Sequence, residues 1–220
     1  PELAEGPERA EGPERAEGQV SASSTSKGPW PELAEGPERA EGNDSAKKAI
    51  FFYVYALLQH PLYRERYKEN LKRELPRLPL VGDRQTFLTL VNIGQKLADL
   101  HLNYETVEEY PLEWVENQKV PWTWRVEKMK LTKAKDAIIV NRCLTLKGVP
   151  ASAFEYQLGH RSALEWVLDQ YQITPDQRSG ITNDPNRADE PQAIVRLLGK
   201  VLTVSVETVK LVARLREVSL

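Results

Sequence analysis

The chain has 220 residues with 30 Lys and Arg against 32 Asp and Glu, a formal net charge of −2, and that near-balance hides a division. Residues 1–46 hold 11 acidic and 4 basic side chains, leaving 26 basic against 21 acidic in the rest, so an acidic tail precedes a mildly basic body long enough to bury one core. The single Cys143 excludes a disulfide framework and fits a reducing compartment. No apolar run reaches the ~18 residues of a membrane span, and no charged stretch leads into a signal-like apolar segment; the expectation is a soluble, cytoplasmic protein.

The tail is repetitive. PELAEGPERAEG at residues 1–12 returns verbatim at 31–42, PERAEG stands again at 13–18, and a Ser/Thr-rich linker fills 19–28. Pro removes a backbone donor and Gly adds chain entropy in every unit, while little apolar surface offsets ordering. Residues 1–45 are therefore expected to be a disordered low-complexity tail. It reads either as an acidic interaction segment or, by preference, as sequence without a function of its own.

From residue 46 a single domain is expected to run to residue 220. Ala46, Ala49, Ile50, Tyr53, Val54, Leu57 and Leu58 keep helical spacing. His60-Pro61 ends that helix and Pro61 opens a second, expected to reach Leu75 with Tyr63, Tyr67, Leu71 and Leu75 on one face. A third is predicted over 86–102, where Phe87, Leu90, Val91, Gly94, Leu97, Ala98 and His101 share a stripe broadened by Ile93 and Leu100, a width that suggests burial on more than one side. Residues 103–120 lack periodicity and are expected to wrap the surface. Trp122, Trp124 and Val126 alternate, Met129 and Leu131 continue out of phase, and 137–140 and 144–146 follow, which predicts three short strands in an antiparallel meander with a bulge near residues 127–128. Ser162-Ala163-Leu164-Glu165 is a capping box opening a helix. A Gly/Asn/Asp/Pro loop spans 172–189, and a long helix, with a kink near Thr203 left open, covers about 191–216. The fold class is α+β, predominantly helical with a small antiparallel sheet.

Catalytic signatures are missing. No phosphate-loop or dinucleotide glycine pattern occurs. His60, His101 and His160 are too far apart, with one cysteine, for a zinc set. His101 sits on an apolar stripe, which marks a core histidine, and Cys143 reads as a buried thiol. An Asn-Pro-Pro-aromatic tetrad for amino methylation is not present. The chain reads as non-catalytic and without a cofactor of its own.

Positive charge concentrates twice. Arg64, Lys68 and Lys72 repeat at four-residue spacing, with Arg66, Arg73 and Arg77 close by, yet Glu65 and Glu69 among them equally suit a salt-bridged solvent face. Residues 119–148 hold eight Lys/Arg against Glu127 and Asp136. There Lys128, Lys130, Lys133 and Lys135 on a strand-turn-strand could follow a phosphate backbone. The amides of Asn183 and Asn186, around Asp184, could reach base edges, or could instead bond their own turn, the reading slightly preferred. Trp166 and Tyr171 are read as core.

The run from Phe52 to Tyr67 (FYVYALLQHPLYRERY), continued by NLKRELPRLP from Asn70, resembles the C-terminal region of Type ISP restriction-modification enzymes. So do GQKLADLHLNYE from Gly94, SALEWV from Ser162, GITNDPN from Gly180 and VSVETV from Val204, five blocks in family order across about residues 46–216. In that family one polypeptide joins a nuclease, an ATP-driven translocase, an adenine-N6 methyltransferase and a target-recognition domain. The resemblance implies that this chain is the last of these, binding duplex DNA and reading an asymmetric target in defence against foreign DNA. It also implies that S-adenosylmethionine, ATP and Mg²⁺ serve the other parts of the enzyme, which are its expected protein partners. The alternative expectation is a protein-interaction or structural domain whose third-helix stripe docks on a separately encoded methyltransferase, or a gene remnant.

Overall fold

The computed structural model describes residues 37–220, with side chains from Asp44 onward. Most of the expected tail lies outside the described residues. The first helix, α1 (Pro37–Gln59), begins inside the last PERAEG copy, although that unit's Pro and Gly were expected to bar a helix. Pro37 is its first residue, where a missing N–H costs nothing. α2 (Pro61–Arg66) follows at once, then α3 (Arg84–Leu102), α4 (Ala163–Gln170) and α5 (Ala193–Arg216). Between α3 and α4 lies a four-stranded antiparallel sheet of β1 (Glu113–Glu116), β2 (Lys130–Leu131), β3 (Ala137–Ile139) and β4 (Leu144–Lys147), in the order β1-β4-β3-β2. Two ribbons complete the chain, β5 (Gln157–Leu158) with β6 (Arg161–Ser162), and β7 (Thr174–Pro175) with β8 (Thr182–Asn183). The class is α+β and mainly helical, as expected.

α5 is the spine on which two cores form. Its first half places Ile194, Val195, Leu198, Leu202 and Val206 against Ile138, Leu144 and Leu146 of the sheet and Leu164 and Leu168 of α4. Its last turns place Leu215 and Leu211 against Tyr53, Ala56 and Leu57 of α1 and Leu90, Ile93 and Leu97 of α3. The wide α3 stripe packs inside the chain on α1 and α5: Leu90, Ile93, Gly94, Leu97 and Ala98 are buried and Phe87, Val91, Leu100 and His101 half-buried, which leaves little of it for the docking alternative. α1 and α3 approach so closely that a Cβ built on Gly94 would lie 1.9 Å from the Phe52 carbonyl oxygen.

His101 joins three helices. Its Nδ1 is 2.7 Å from Tyr55 Oη, its Nε2 is 2.8 Å from Thr208 Oγ1, and its ring stacks on Tyr156 at 5.4 Å. Burial pushes its pKa below the ordinary 6.5. The folded chain therefore binds this proton less readily than the unfolded chain. The contribution is intact above the unfolded value and is lost as pH falls from about 6.5 through the lower folded one. Chemical denaturation at pH 7.5 and 5 should show a smaller pH penalty in His101→Gln than in the native chain; equal penalties would show that another group sets the acid sensitivity.

Three expectations need correction. α2 ends at Arg66, not near residue 75, and irregular turns continue to Glu74. Leu75, expected on its inner face, is 90% exposed, so nothing packs on that side to sustain so short a helix. Residues 103–120 contain β1, an edge strand paired Trp114 to Leu146. Its two flanking glutamates and exposed Trp114 hide any period-two signal. Residues 122–126, expected as a strand, belong to no ladder because side chains satisfy their backbone. Asn141 Nδ2 donates to the Thr123 and Arg125 carbonyls at 2.9 and 3.1 Å, and Asn186 brackets Val126, accepting from its N–H at 2.8 Å and donating to its carbonyl at 2.9 Å. α5 runs as one continuous helix from Ala193 to Arg216.

Candidate nucleic-acid interface

The capping box that opens α4 organises the polar surface. Ser162 Oγ accepts from the Glu165 N–H at 3.3 Å, and Glu165 Oε2 accepts from the Ser162 N–H at 3.1 Å. Glu165 Oε1 takes the Lys135 ammonium at 2.9 Å. That ammonium, together with the Ser162 N–H, holds the Glu165 carboxyl below the usual carboxylate range. Lys135 also lies 5.0 Å over the Phe154 ring. Its charge is therefore largely spent within the chain, tying the β2–β3 turn to α4. Lys135 has φ of 58°, in the left-handed region of that turn.

A cleft of about 550 Å³ opens between the β2 segment and the β5–β6 ribbon with α4, lined by Lys128, Lys130, His160, Arg161, Asp169 and Gln172 among others. Lys128 and Lys130 have no ion pair among the described residues, and both are exposed. Lys133 stands exposed on the adjoining turn. Of the cleft's other charged side chains, Arg161 Nη1 bonds Asp169 Oδ2 at 2.8 Å and Glu165 holds Lys135.

On the other side of the β5–β6 ribbon a groove of about 390 Å³ is lined by Arg64, Tyr156, Gln157, Thr208, Arg216 and Glu217 among others. The segment 156–161 thus borders both depressions, bringing Arg64 and the strand lysines to the two flanks of one ribbon. Lys68 and Lys72 do not join them in a helical row, since α2 stops before either. Lys72 pairs with Glu69 at 2.8 Å, whereas Lys68 is exposed and has no ion pair among the described residues.

Asn183 pairs with Thr174 in the β7–β8 ribbon, and Asn186 is committed to the backbone. Besides bracketing Val126, its N–H and Nδ2 donate to Asp184 Oδ1 at 3.0 and 2.7 Å. Those amide bonds, with Arg125 Nη2 at 2.7 Å, hold the Asp184 carboxyl below its ordinary value. The turn reading of this loop therefore describes what Asn186 does. Beside it Trp122, Trp124, Arg125 and Arg187 line another depression, with Trp124 edge-on to Trp114 and Trp122.

Sequence reasoning overlooked His160 and Arg161, which sit outside any charge cluster in the chain. A ribbon nucleated by the glycine at 159, φ 73°, brings them to the lysines, and the Gly-His-Arg preceding the capping box was the available signal. Cys143 is buried, with its thiol 3.1 Å from Asn141 Oδ1. Among the described residues no group of three or more His, Cys, Asp or Glu could hold a metal ion, and no helix is long and apolar enough to cross a membrane.

A helical domain with a small antiparallel sheet, carrying a cleft lined by Lys128, Lys130 and Arg161, is the class that these features define. Residues 15–197 match the model of the Type ISP C-terminal specificity domain, and the chain belongs to that family. Solved structures agree. A nuclease-deletion mutant of the Type ISP restriction-modification enzyme LlaGI in complex with a DNA substrate mimic is 42% identical, with TM-score 0.68 over 76% of this chain and 13% of that one. The ATP-dependent Type ISP enzyme LlaBIII bound to DNA is 36% identical, with TM-score 0.71 over 83% of this chain and 12% of that one. A DrdV–DNA complex is 35% identical, with TM-score 0.65 over 80% and 19%. The chain thus spans less than a fifth of the length of each of these relatives. No match was found among curated proteins.

Proposed function

We propose that the chain is a sequence-specific duplex-DNA recognition module, the C-terminal part of a Type ISP restriction-modification enzyme, without catalysis of its own. The observation that carries this reading is the cleft in which Lys128 and Lys130 stand unpaired beside Arg161, in a domain whose relatives were solved with DNA. Free ammonium groups neutralise phosphates whatever the sequence and so position the module, while other side chains read base edges. Lys133 and Arg64 extend the basic surface on either flank of the β5–β6 ribbon, with Lys68 beyond. Lys72, Lys135 and Asn186 are better explained by their bonds within the chain, while the exposed Asn183 side chain remains available at the β7–β8 ribbon. Under this reading methyl transfer, translocation and cleavage belong to further parts of the enzyme, which would hold S-adenosylmethionine, ATP and Mg²⁺. The module would work in the cytoplasm, where its free thiol persists.

Fluorescence anisotropy of the chain with a labelled duplex of random sequence, titrated with salt, tests the reading. Affinity should fall linearly on a log-log plot, with a slope of about −0.9 for each phosphate neutralised. No binding at low salt would overturn it.

A further inference from the structure

Lysines that grip phosphates hold a protein on DNA but cannot choose a sequence, so a recognition cleft needs a side chain with fixed geometry among them. Arg161 has that geometry. Its backbone is held in the β5–β6 ribbon, where it pairs with Leu158. Its guanidinium lies 5.6 Å over the Trp166 ring, and that ring is itself locked by Trp166 Nε1 donating to the Leu158 carbonyl at 3.0 Å. Asp169 takes Nη1 at 2.8 Å. The ring and the carboxylate together restrain the guanidinium.

What remains is the Nε–Nη2 edge, which has no hydrogen-bond partner among the described residues and presents two parallel N–H donors. Guanine is the base whose major-groove edge offers two acceptors side by side, N7 and O6, and a guanidinium meets them bidentately. Arg125 is also buttressed, but it gives Asp184 its Nη2, one of the two nitrogens of that edge. It lies in the tryptophan-lined depression, away from Lys128 and Lys130.

We infer that Arg161 reads a guanine in the target, with Asp169 and Trp166 as positioning residues and Lys128 and Lys130 holding the flanking phosphates. The inference rests on the DNA-recognition reading above and assigns part of its specificity.

The test is selection from a duplex library with a randomised core, using the full chain, Arg161→Lys and Asp169→Asn, each checked for an unchanged melting transition. The native chain should prefer G at one position by roughly tenfold or more. Arg161→Lys keeps the charge but loses the two-pronged edge. It should erase that preference while leaving the other positions and the salt slope as they were. Asp169→Asn should weaken the same preference several-fold and no other. Equal weakening of all sequences by Arg161→Lys would make Arg161 a phosphate contact and overturn the inference, as would native binding with no preference for G anywhere. Absence of native binding at low salt would instead overturn the DNA-recognition reading itself, and the two failures are thereby distinct.

Discussion

Gly94→Ala should destabilise the chain by about 3 kcal/mol, well above the common effect of a single added methyl. The new Cβ would stand 1.9 Å from the Phe52 carbonyl oxygen, 2.8 Å from its carbon and 3.2 Å from the Ala56 Cβ. An ordinary carbon–oxygen contact is more than an ångström longer than the first of these. The obstacle is helix backbone, so no rotamer change relieves it and α1 must move away from α3. That motion loosens Tyr53, Leu57, Leu90, Ile93 and Leu97, which pack along the same seam, and partly opens the core they form. Alanine's better helix propensity returns only about 1 kcal/mol. Gly82→Ala is the control, because nothing lies within 4 Å of its Cβ; it should be neutral or slightly stabilising through the unfolded chain. Urea denaturation of both variants measures the contrast. A Gly94→Ala midpoint equal to the native one would mean that the α1–α3 seam yields freely.

That seam also shows which parts of the fold were legible. α1, α3, α4 and α5 carry long or capped apolar patterns, and each formed where periodicity placed it, with ends moved by local chemistry. Asp83, for instance, starts α3 at Arg84 by accepting from the Thr86 N–H at 2.7 Å. Burial of α3 on two sides was readable as a stripe too wide for one neighbour. The failures lie where tertiary contacts replace local pattern. α2 lost its expected length because Tyr63 and Tyr53 spend their hydroxyls on the Arg77 and Pro79 carbonyls, fastening the following segment as irregular chain. Residues 122–126 alternate like a strand but are held by amides sixteen or more positions away. A side chain that substitutes for a ladder leaves no period in the sequence.

The candidate site divides along the same line. An excess of eight Lys/Arg over two acids in residues 119–148 announced a basic surface, and Lys128, Lys130 and Lys133 stand exposed there without an ion pair among the described residues. Lys135 sat in the same run, but its counter-ion Glu165 lies thirty positions onward, beyond any local charge count. Arg161 was invisible for the converse reason, since it acquires Lys128 and Lys130 as neighbours only through the fold. Asn186 had two readings of similar weight in sequence. Its side chain makes three bonds to Val126 and Asp184 that occupy both ends of the amide, which favours the turn reading.

The contrast between free and spent lysines gives the largest expected effect on binding. Lys128→Gln with Lys130→Gln removes two charges that have no partner in the chain. If each meets one phosphate, the salt slope should become less steep by about two. Counterion release then sets the size of the loss. For variants that converge with the native chain at 1 M salt, two lost contacts weaken binding at 0.1 M by about sixty-fold, or about 2.4 kcal/mol, on every sequence alike. Lys135→Gln removes the same formal charge but one already neutralised by Glu165 at 2.9 Å. It should change the slope by well under one and lower stability slightly, within the ~1 kcal/mol of an exposed pair. Salt titrations of the double and single variants against the native chain separate the two cases. Equal slope changes per lysine would show that overall charge, and not the cleft between the β2 segment and the β5–β6 ribbon, holds the DNA.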